Sequence, residues 1–435
     1  MAFGRVITRM GTSTCDPLVR RHDFPFFDRT VNGHPWIYLD SAATSQKPLT
    51  VLDAEREFAE QYTSAVHRGA HTPAGEATEL FERARETVAQ FIGADNDEVV
   101  WTSGATGSIN LIAYTLSNAS LGRGGDDAAA LRISPGDDIV VTRAEHHANL
   151  IPWQECAART GATLTVIDLD DDGCLRLDDA QKKIGQRTKV VAFTHVSNVI
   201  GVVSPVAELV DLAHRVGAVT VLDACQSVPH LPVNVHELGV DFAAFSGHKM
   251  LGPTGVGVLY GRSALLNALP PFFTGGSMIT SVTAERAEYL PAPHRFEAGT
   301  QPVSQAYALA RACDYLTTLR MTDVADHEAA LAQRLVTGIG EIPGVRLLGP
   351  ASAHARIGLA SFVVDGVHAH DVGQFLDDRG ISVRVGHHCA QPLHRHLGIT
   401  ASTRISTYVY TSAQEIDAAL SALADVRHFF GVSTR

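Results

Sequence analysis

The chain has 435 residues, with 47 acidic against 35 basic side chains and a formal net charge of −12. That length exceeds what one hydrophobic core serves, so two domains are expected, and the acidic balance excludes the basic face that nucleic-acid binding requires. No apolar run approaches a membrane span, and six scattered cysteines with no C-x-x-C pair point to free thiols in a reducing cytoplasm.

Residues 1–24 carry arginines but no apolar core of a signal peptide, and read as a frayed tail or an organelle transit segment. From about residue 97, strand-like and helix-like runs alternate. "EVVWT" (98–102), "DDIVVT" (137–142), "ATLTVIDLD" (162–170), "KVVAFTHVS" (189–197), "GAVTVLDA" (217–224) and "DFAAFSG" (241–247) are near-continuous apolar stretches. Such runs suit strands buried on both faces with helices between them, which predicts a mostly parallel sheet in a large α/β domain over 25–305. The Gly- and Asp-rich segment 121–138 reads as an exposed loop. From residue 306 a long helical stretch leads to "LASFVVDG", "ISVRVG" and a last helix, predicting a smaller α+β domain over 306–435.

In an open α/β sheet, ligands sit beyond the carboxyl ends of the strands. Four of those ends carry polar chemistry. After "VVWT", "SGATG" opens a helix whose first N–H groups, near Ala105 and Thr106, suit an anion. After "DDIVVT" stands His146, a flat ring able to stack on another; its neighbour His147 diverges from it on any regular element, so the pair is not a chelate. Asp223 ends an apolar strand, where a carboxylate needs a partner: either a salt bridge or a protonated heterocycle. Lys249 lies between a buried strand and a glycine-rich stretch, flanked by Ser246 and His248; desolvation frees such an amine for Schiff-base chemistry. An anion site, a stacking ring, an acid and a lysine on successive strand ends are what pyridoxal 5′-phosphate (PLP) requires.

The chain resembles the SUF-type cysteine desulfurases and selenocysteine lyases, a group within the class V aminotransferase-like PLP enzymes. The resemblance is carried by "YLDSAATSQKP" (38–48), "HRGAHT" (67–72), "SGATGSINL" (103–111), "EHHANLIPWQ" (145–154), "HVSNVIG" (195–201), "VLDACQSVPH" (221–230), "FSGHKMLGPTGVGVLYG" (245–261), "RFEAGTQP" (295–302) and "VRVGHHCAQPL" (383–393). It implies the fold-type I architecture, with a mostly parallel seven-stranded sheet and a smaller C-terminal domain carrying the catalytic cysteine. It implies that Lys249 bonds the aldehyde and moves the substrate's proton, helped by His146, which stacks on the ring. Asp223 would pair with the pyridine nitrogen and Gln226 with the phenolic oxygen. Ala105, Thr106, Ser246 and His248 would hold the phosphate. Asn198, Arg384, Arg404 and His71 would bind the substrate, and Cys389 would accept its sulfur. The implied partners are L-cysteine, a sulfur-acceptor protein of the SUF iron–sulfur assembly system, and a second copy of the chain in a homodimer; no resident metal is implied. The sequence departs from the group's pattern in its long 121–138 loop, in "TGGSM" (274–278), and in Thr411, where asparagine is more usual.

One stretch, "GHHCAQPLHRH" (386–396), sets a cysteine among four histidines. Three readings compete for it: a zinc site from Cys389, His394 and His396, a bland histidine-rich loop, and a catalytic thiol. The intervals match no familiar zinc pattern. A PLP site elsewhere in the chain favours the thiol, with Arg384 and a protonated His387 or His388 raising its thiolate fraction and His394 and His396 left at the surface. An aminotransferase or kynureninase-like lyase, for which Cys389 is incidental, and an inactive scaffold of the same fold are the rival readings.

Overall fold

The structure is a computed structural model that describes residues 16–432. Seven strands form the main sheet: β1 (Val99–Thr102), β2 (Asp138–Thr142), β3 (Thr163–Ile167), β4 (Thr188–Thr194), β5 (Val219–Asp223), β6 (Phe242–Ser246) and β7 (Gly257–Gly261). Their order is β1-β7-β6-β5-β4-β2-β3, and β7 alone runs against its neighbours. This is the predicted α/β sheet, and the six apolar runs are six of its strands. Side chains alternate across each strand, and here both faces are apolar. Val140, Val191, Leu222 and Phe245 enter one core, while Ile139, Val190, Val221 and Ala244 enter the other. The predicted exposed segment 121–138 carries only a short 3₁₀ turn, Ala129–Leu131, before β2 begins at its last residue.

The second unit has four antiparallel strands, β8 (Val345–Leu347), β9 (Leu359–Val364), β10 (Arg384–Gly386) and β11 (Ser402–Ser406), in the order β8-β9-β11-β10. Helices Met321–Gly340, Ala369–Asp377 and Ala413–Phe429 cover it through Leu335, Phe375 and Leu423, packed on Phe362 and Ile405. The last helix opens on a capping box in which Ser412 and Glu415 satisfy each other's backbone N–H groups.

Two segments sit differently from expectation. Residues 18–24 are not a frayed tail: Val19 and Phe24 are buried, Leu18 N donates to Val409 O at 2.9 Å, and Phe24 packs edge-on against Tyr315 and Tyr410. The rest of the expected tail, residues 1–15, lies outside the described residues. Helix Val303–Leu319, expected to open the small domain, shares the core of the main sheet through Leu309 and Leu316. The chain breaks after it at Arg320, whose φ is 65°. The segment after residue 24, expected to pack partly on the small domain, reaches it through a short strand: Ile37–Tyr38 runs parallel to Ile381–Ser382, and Leu39 joins the small core.

Candidate active site

The carboxyl ends of β1, β2, β4, β5 and β6 open on one cavity of about 230 Å³. At the end of β1 the chain turns through Gly104, with φ 144°, into helix Ala105–Ser120. A side chain on Gly257 of β7 would strike the Gly104 Cα at 2.4 Å, so two glycines let strand and turn close together. The approach sets Ala105 N–H on Ser246 Oγ at 2.9 Å, and Ala105, Thr106, Ser246 and His248 all line the cavity.

His146 follows β2 and lines the cavity, with Nδ1 accepting from Ala148 N at 3.0 Å. Burial, with Lys249 beside it, pulls its pKa down to about 4 against the pull of Asp223, so the ring is neutral at pH 7. Asn198 lies on the loop after β4, Gln226 after β5, and Lys249 in the 3₁₀ turn after β6; all three line the cavity. Asp223 ends β5, 5% exposed; its Oδ1 accepts from Cys225 N at 3.0 Å, and it forms no ion pair with any described residue.

The donor set fits PLP on two observations. Asp223 is a buried carboxylate with no protein cation on it, as an acceptor for a protonated ring nitrogen must be. Gln226 gives Nε2 to Ala42 O at 2.9 Å and keeps a buried Oε1 with no hydrogen-bond partner on the cavity wall. Sequence reasoning did not single out Thr194 and Cys225, which also line the cavity, or Glu145, the buried residue preceding His146. Glu145 accepts from Thr142 Oγ1, Asn149 Nδ2 and Thr194 N, and burial lifts its pKa to about 8. Nothing in the local pattern marks it as buried; its burial comes from long-range packing.

The small domain brings Arg384 to the cavity wall, and Arg384 Nη2 stands 3.6 Å from Cys389 Sγ. Cys389 itself lies next to the lining residues, and its carbonyl accepts from His147 N at 2.7 Å. Two residues expected at the substrate sit elsewhere. Arg404 is fully buried off the lining, donating to Asn198 O at 2.9 Å and to Asp40 Oδ1 at 3.0 Å; desolvation lowers its pKa to about 10. His71 is exposed and caps helix Thr72–Ile92.

The histidines of the cysteine loop depart from expectation. His388 is 2% exposed and burial drives its pKa down to about 2, so it brings no positive charge to the thiol. His394, expected at the surface, is 1% exposed. Its ring bonds Ala390 O and Ser402 Oγ, while His396 bonds Asp170 O at 2.7 Å, so these side chains serve separate partners and do not converge with Cys389 on a metal position.

Residues 37–419 match the aminotransferase class-V family. The chain is 54% identical over 413 residues to a probable cysteine desulfurase 2 of Mycobacterium leprae, covering 94% of this chain and 96% of that one. It is 49% identical to a probable cysteine desulfurase of Streptomyces coelicolor, covering 94% and 97%. Among solved structures, the apo cysteine desulfurase of Thermococcus onnurineus superposes with a TM-score of 0.86 at 39% identity, covering 93% of this chain and 96% of that one. The cysteine desulfurase CsdA of Escherichia coli, as its S-sulfonic acid, superposes with 0.84 at 35%, covering 94% and 98%. With a cavity donor set that fits PLP, these matches place the protein: the chain belongs to the class-V aminotransferase family of PLP enzymes, in its cysteine desulfurase branch.

Proposed function

We propose that this protein takes sulfur from L-cysteine, releasing L-alanine and leaving a persulfide on Cys389. The observation that carries the reading is the contrast between Cys389 and the other described cysteines. Cys225 lines the cavity, but burial and then Asp223 push its pKa up to about 12. Burial raises Cys156, Cys174 and Cys313 as well. Among the described cysteines, only Cys389 has a guanidinium within hydrogen-bond distance of its sulfur, Arg384 Nη2 at 3.6 Å, and attack on sulfur needs a thiolate.

The side chains divide the work. Ser246, His248 and the helix start at Ala105 and Thr106 hold the cofactor's phosphate. Asp223 keeps the proton on its ring nitrogen. Lys249 would hold its aldehyde, and the Lys249 amine would take the α-proton from L-cysteine; neutral His146 is free to accept or return a proton. When bound, PLP supplies an electron sink for negative charge at the substrate's α-carbon. Asn198 and Arg384, both on the cavity wall, orient the substrate carboxylate. The Cys389 thiolate then attacks the substrate sulfur. The new S–S bond forms as the C–S bond breaks, and the electron pair leaves with carbon, which takes a proton and departs as alanine. Sulfur is oxidised and carbon reduced, so no outside oxidant is needed.

The persulfide is handed to an acceptor protein of the SUF type for iron–sulfur cluster assembly. The enzyme works as a homodimer in the cytoplasm; no helix among the described residues is long and apolar enough to cross a membrane. Selenocysteine would be accepted at the same residues, and comparing rates on the two amino acids reads that preference. Cys389→Ser tests the central assignment. The variant should bind PLP and answer L-cysteine with a change in the cofactor's absorbance, yet release no alanine at steady state. Normal turnover by that variant would end the reading. A new amino acid formed on adding a keto acid would favour a transaminase.

A further inference from the structure

Cys389 sits in a backbone conformation that few residues adopt. His388 has φ 50° and Cys389 φ 58°, two successive left-handed residues, neither of them glycine. Such a conformation persists only where surrounding structure over-determines it. On the cavity side the backbone is bound twice. Asn198 Nδ2 donates to His388 O at 2.7 Å, and His147 N donates to Cys389 O at 2.7 Å. On the other side the His388 ring is buried in the small domain. Its Nε2 lies 2.9 Å from Ser402 Oγ, and the same hydroxyl lies 3.0 Å from His394 Nε2. Ser402 opens β11 and is fully buried.

One hydroxyl between two ring nitrogens permits a single proton order. Ala390 O can only accept, so His394 Nδ1, 3.1 Å away, must donate to it. Burial moves the His394 pKa below its ordinary 6.5, and with Nδ1 carrying the ring proton of the neutral form its Nε2 is bare to accept the Ser402 proton. The Ser402 oxygen must then accept from His388 Nε2–H. The chain runs one way, from His388 through Ser402 and His394 to Ala390 O, and Ala390 directly follows the cysteine. A His388 protonated on Nδ1 instead would set two bare nitrogens against one hydroxyl proton. The assignment leaves His388 Nδ1 as the bare atom, and that atom is buried without a hydrogen-bond partner.

We infer that His388, Ser402 and His394 are positioning residues that clamp the Cys389 turn from behind and so hold the cysteine sulfur at Arg384. This rests on the desulfurase reading of Cys389. The clamp touches neither cofactor nor substrate, so it should act on the sulfur-attack step alone.

The test uses the PLP-loaded full-length protein and three variants: Ser402→Ala, His388→Leu and His388→Gln, the last keeping a donor at the Nε2 position. Ser402→Ala and His388→Leu should slow persulfide formation on Cys389 at saturating L-cysteine by about 10-fold or more, since small misplacements of a reacting group are costly. KM should stay within about twofold and the L-cysteine-induced absorbance change should remain. His388→Gln should recover most of the rate. Hydrogen exchange across 386–396 needs no turnover, and should rise in the first two variants and not in the third. An unchanged rate in Ser402→Ala, or a His388→Gln as slow as His388→Leu, overturns the clamp. Absence of a Cys389 persulfide in the parent protein would instead fall on the desulfurase reading, and the exchange data would then decide the clamp by themselves: unchanged exchange in Ser402→Ala rejects it.

Discussion

Arg384 Nη2 and Cys389 Sγ stand 3.6 Å apart, the guanidinium on the cavity wall and the sulfur at its edge. The two residues are five apart in sequence, but strand β10 and the left-handed turn at His388 and Cys389 bring them face to face. An arginine stays charged at any working pH, so it can pair with a thiolate where neutral His388 cannot. Arg384→Ala should slow labelling of Cys389 by iodoacetamide several-fold at pH 7 and reduce alanine release by at least ~10-fold, in line with the loss of a charge-assisted contact. Unchanged labelling would remove the pairing from the account.

Lys249→Ala should leave no covalent link to the cofactor. Lys249 follows buried β6 and lines the cavity. Borohydride treatment fixes a lysine-bound cofactor to its peptide, and mass spectrometry reads the result: the parent carries the added mass on the Lys249 peptide and the variant carries none. A covalent adduct elsewhere in the variant would reassign the site.

Asp223→Asn should lower turnover far more than cofactor affinity. The substitution preserves shape and the bond from Cys225 N, but it removes the buried charge that pairs with a ring-nitrogen proton. A loss of about 10²-fold or more in kcat is in the range that such electrostatic groups contribute. PLP binding, measured by titration of absorbance, should weaken much less. Near-normal alanine release would rule the role out.

The protein should lose stability between pH 7 and pH 5. Burial lowers the pKa of His146, His195 and His248 to about 4 and of His388 to about 2, from an ordinary 6.5. As pH falls through 6.5 the unfolded chain takes up these protons and the folded one does not, so unfolding is favoured. Glu145, raised to about 8, works in the opposite sense over this range and offsets one of the four. For the deeply buried His195 and His388, each full proton is worth at most ~1.4 kcal/mol per pH unit. The urea midpoint of the apo protein should therefore fall on acidification, and a flat or rising midpoint would contradict the neutral-histidine assignment.

Legibility in the sequence followed the range of the physics. The sheet was readable because strands buried on both faces are local apolar runs, as at Val140 and Val141. The cavity was readable because residues just past those runs must meet at one sheet edge, which brought Ala105, His146, Asp223 and Lys249 together. Burial set by distant chain was not readable. Nothing near His394 foretells that Ser402 and the small-domain core enclose it, and nothing near Phe24 foretells Tyr315 and Tyr410. Arg404 shows the same limit: the sequence marked neither its strand, Ser402–Ser406, nor its engagement with Asp40 and Asn198, residues over 200 positions away.

The most direct measurement is the mass of the Cys389 peptide after one equivalent of L-cysteine, taken alongside the alanine released. The account predicts one added sulfur atom on that peptide, removable by reductant, in amounts equal to the alanine. Added sulfur on Cys225 or Cys313, or alanine released with no change at Cys389, would contradict it.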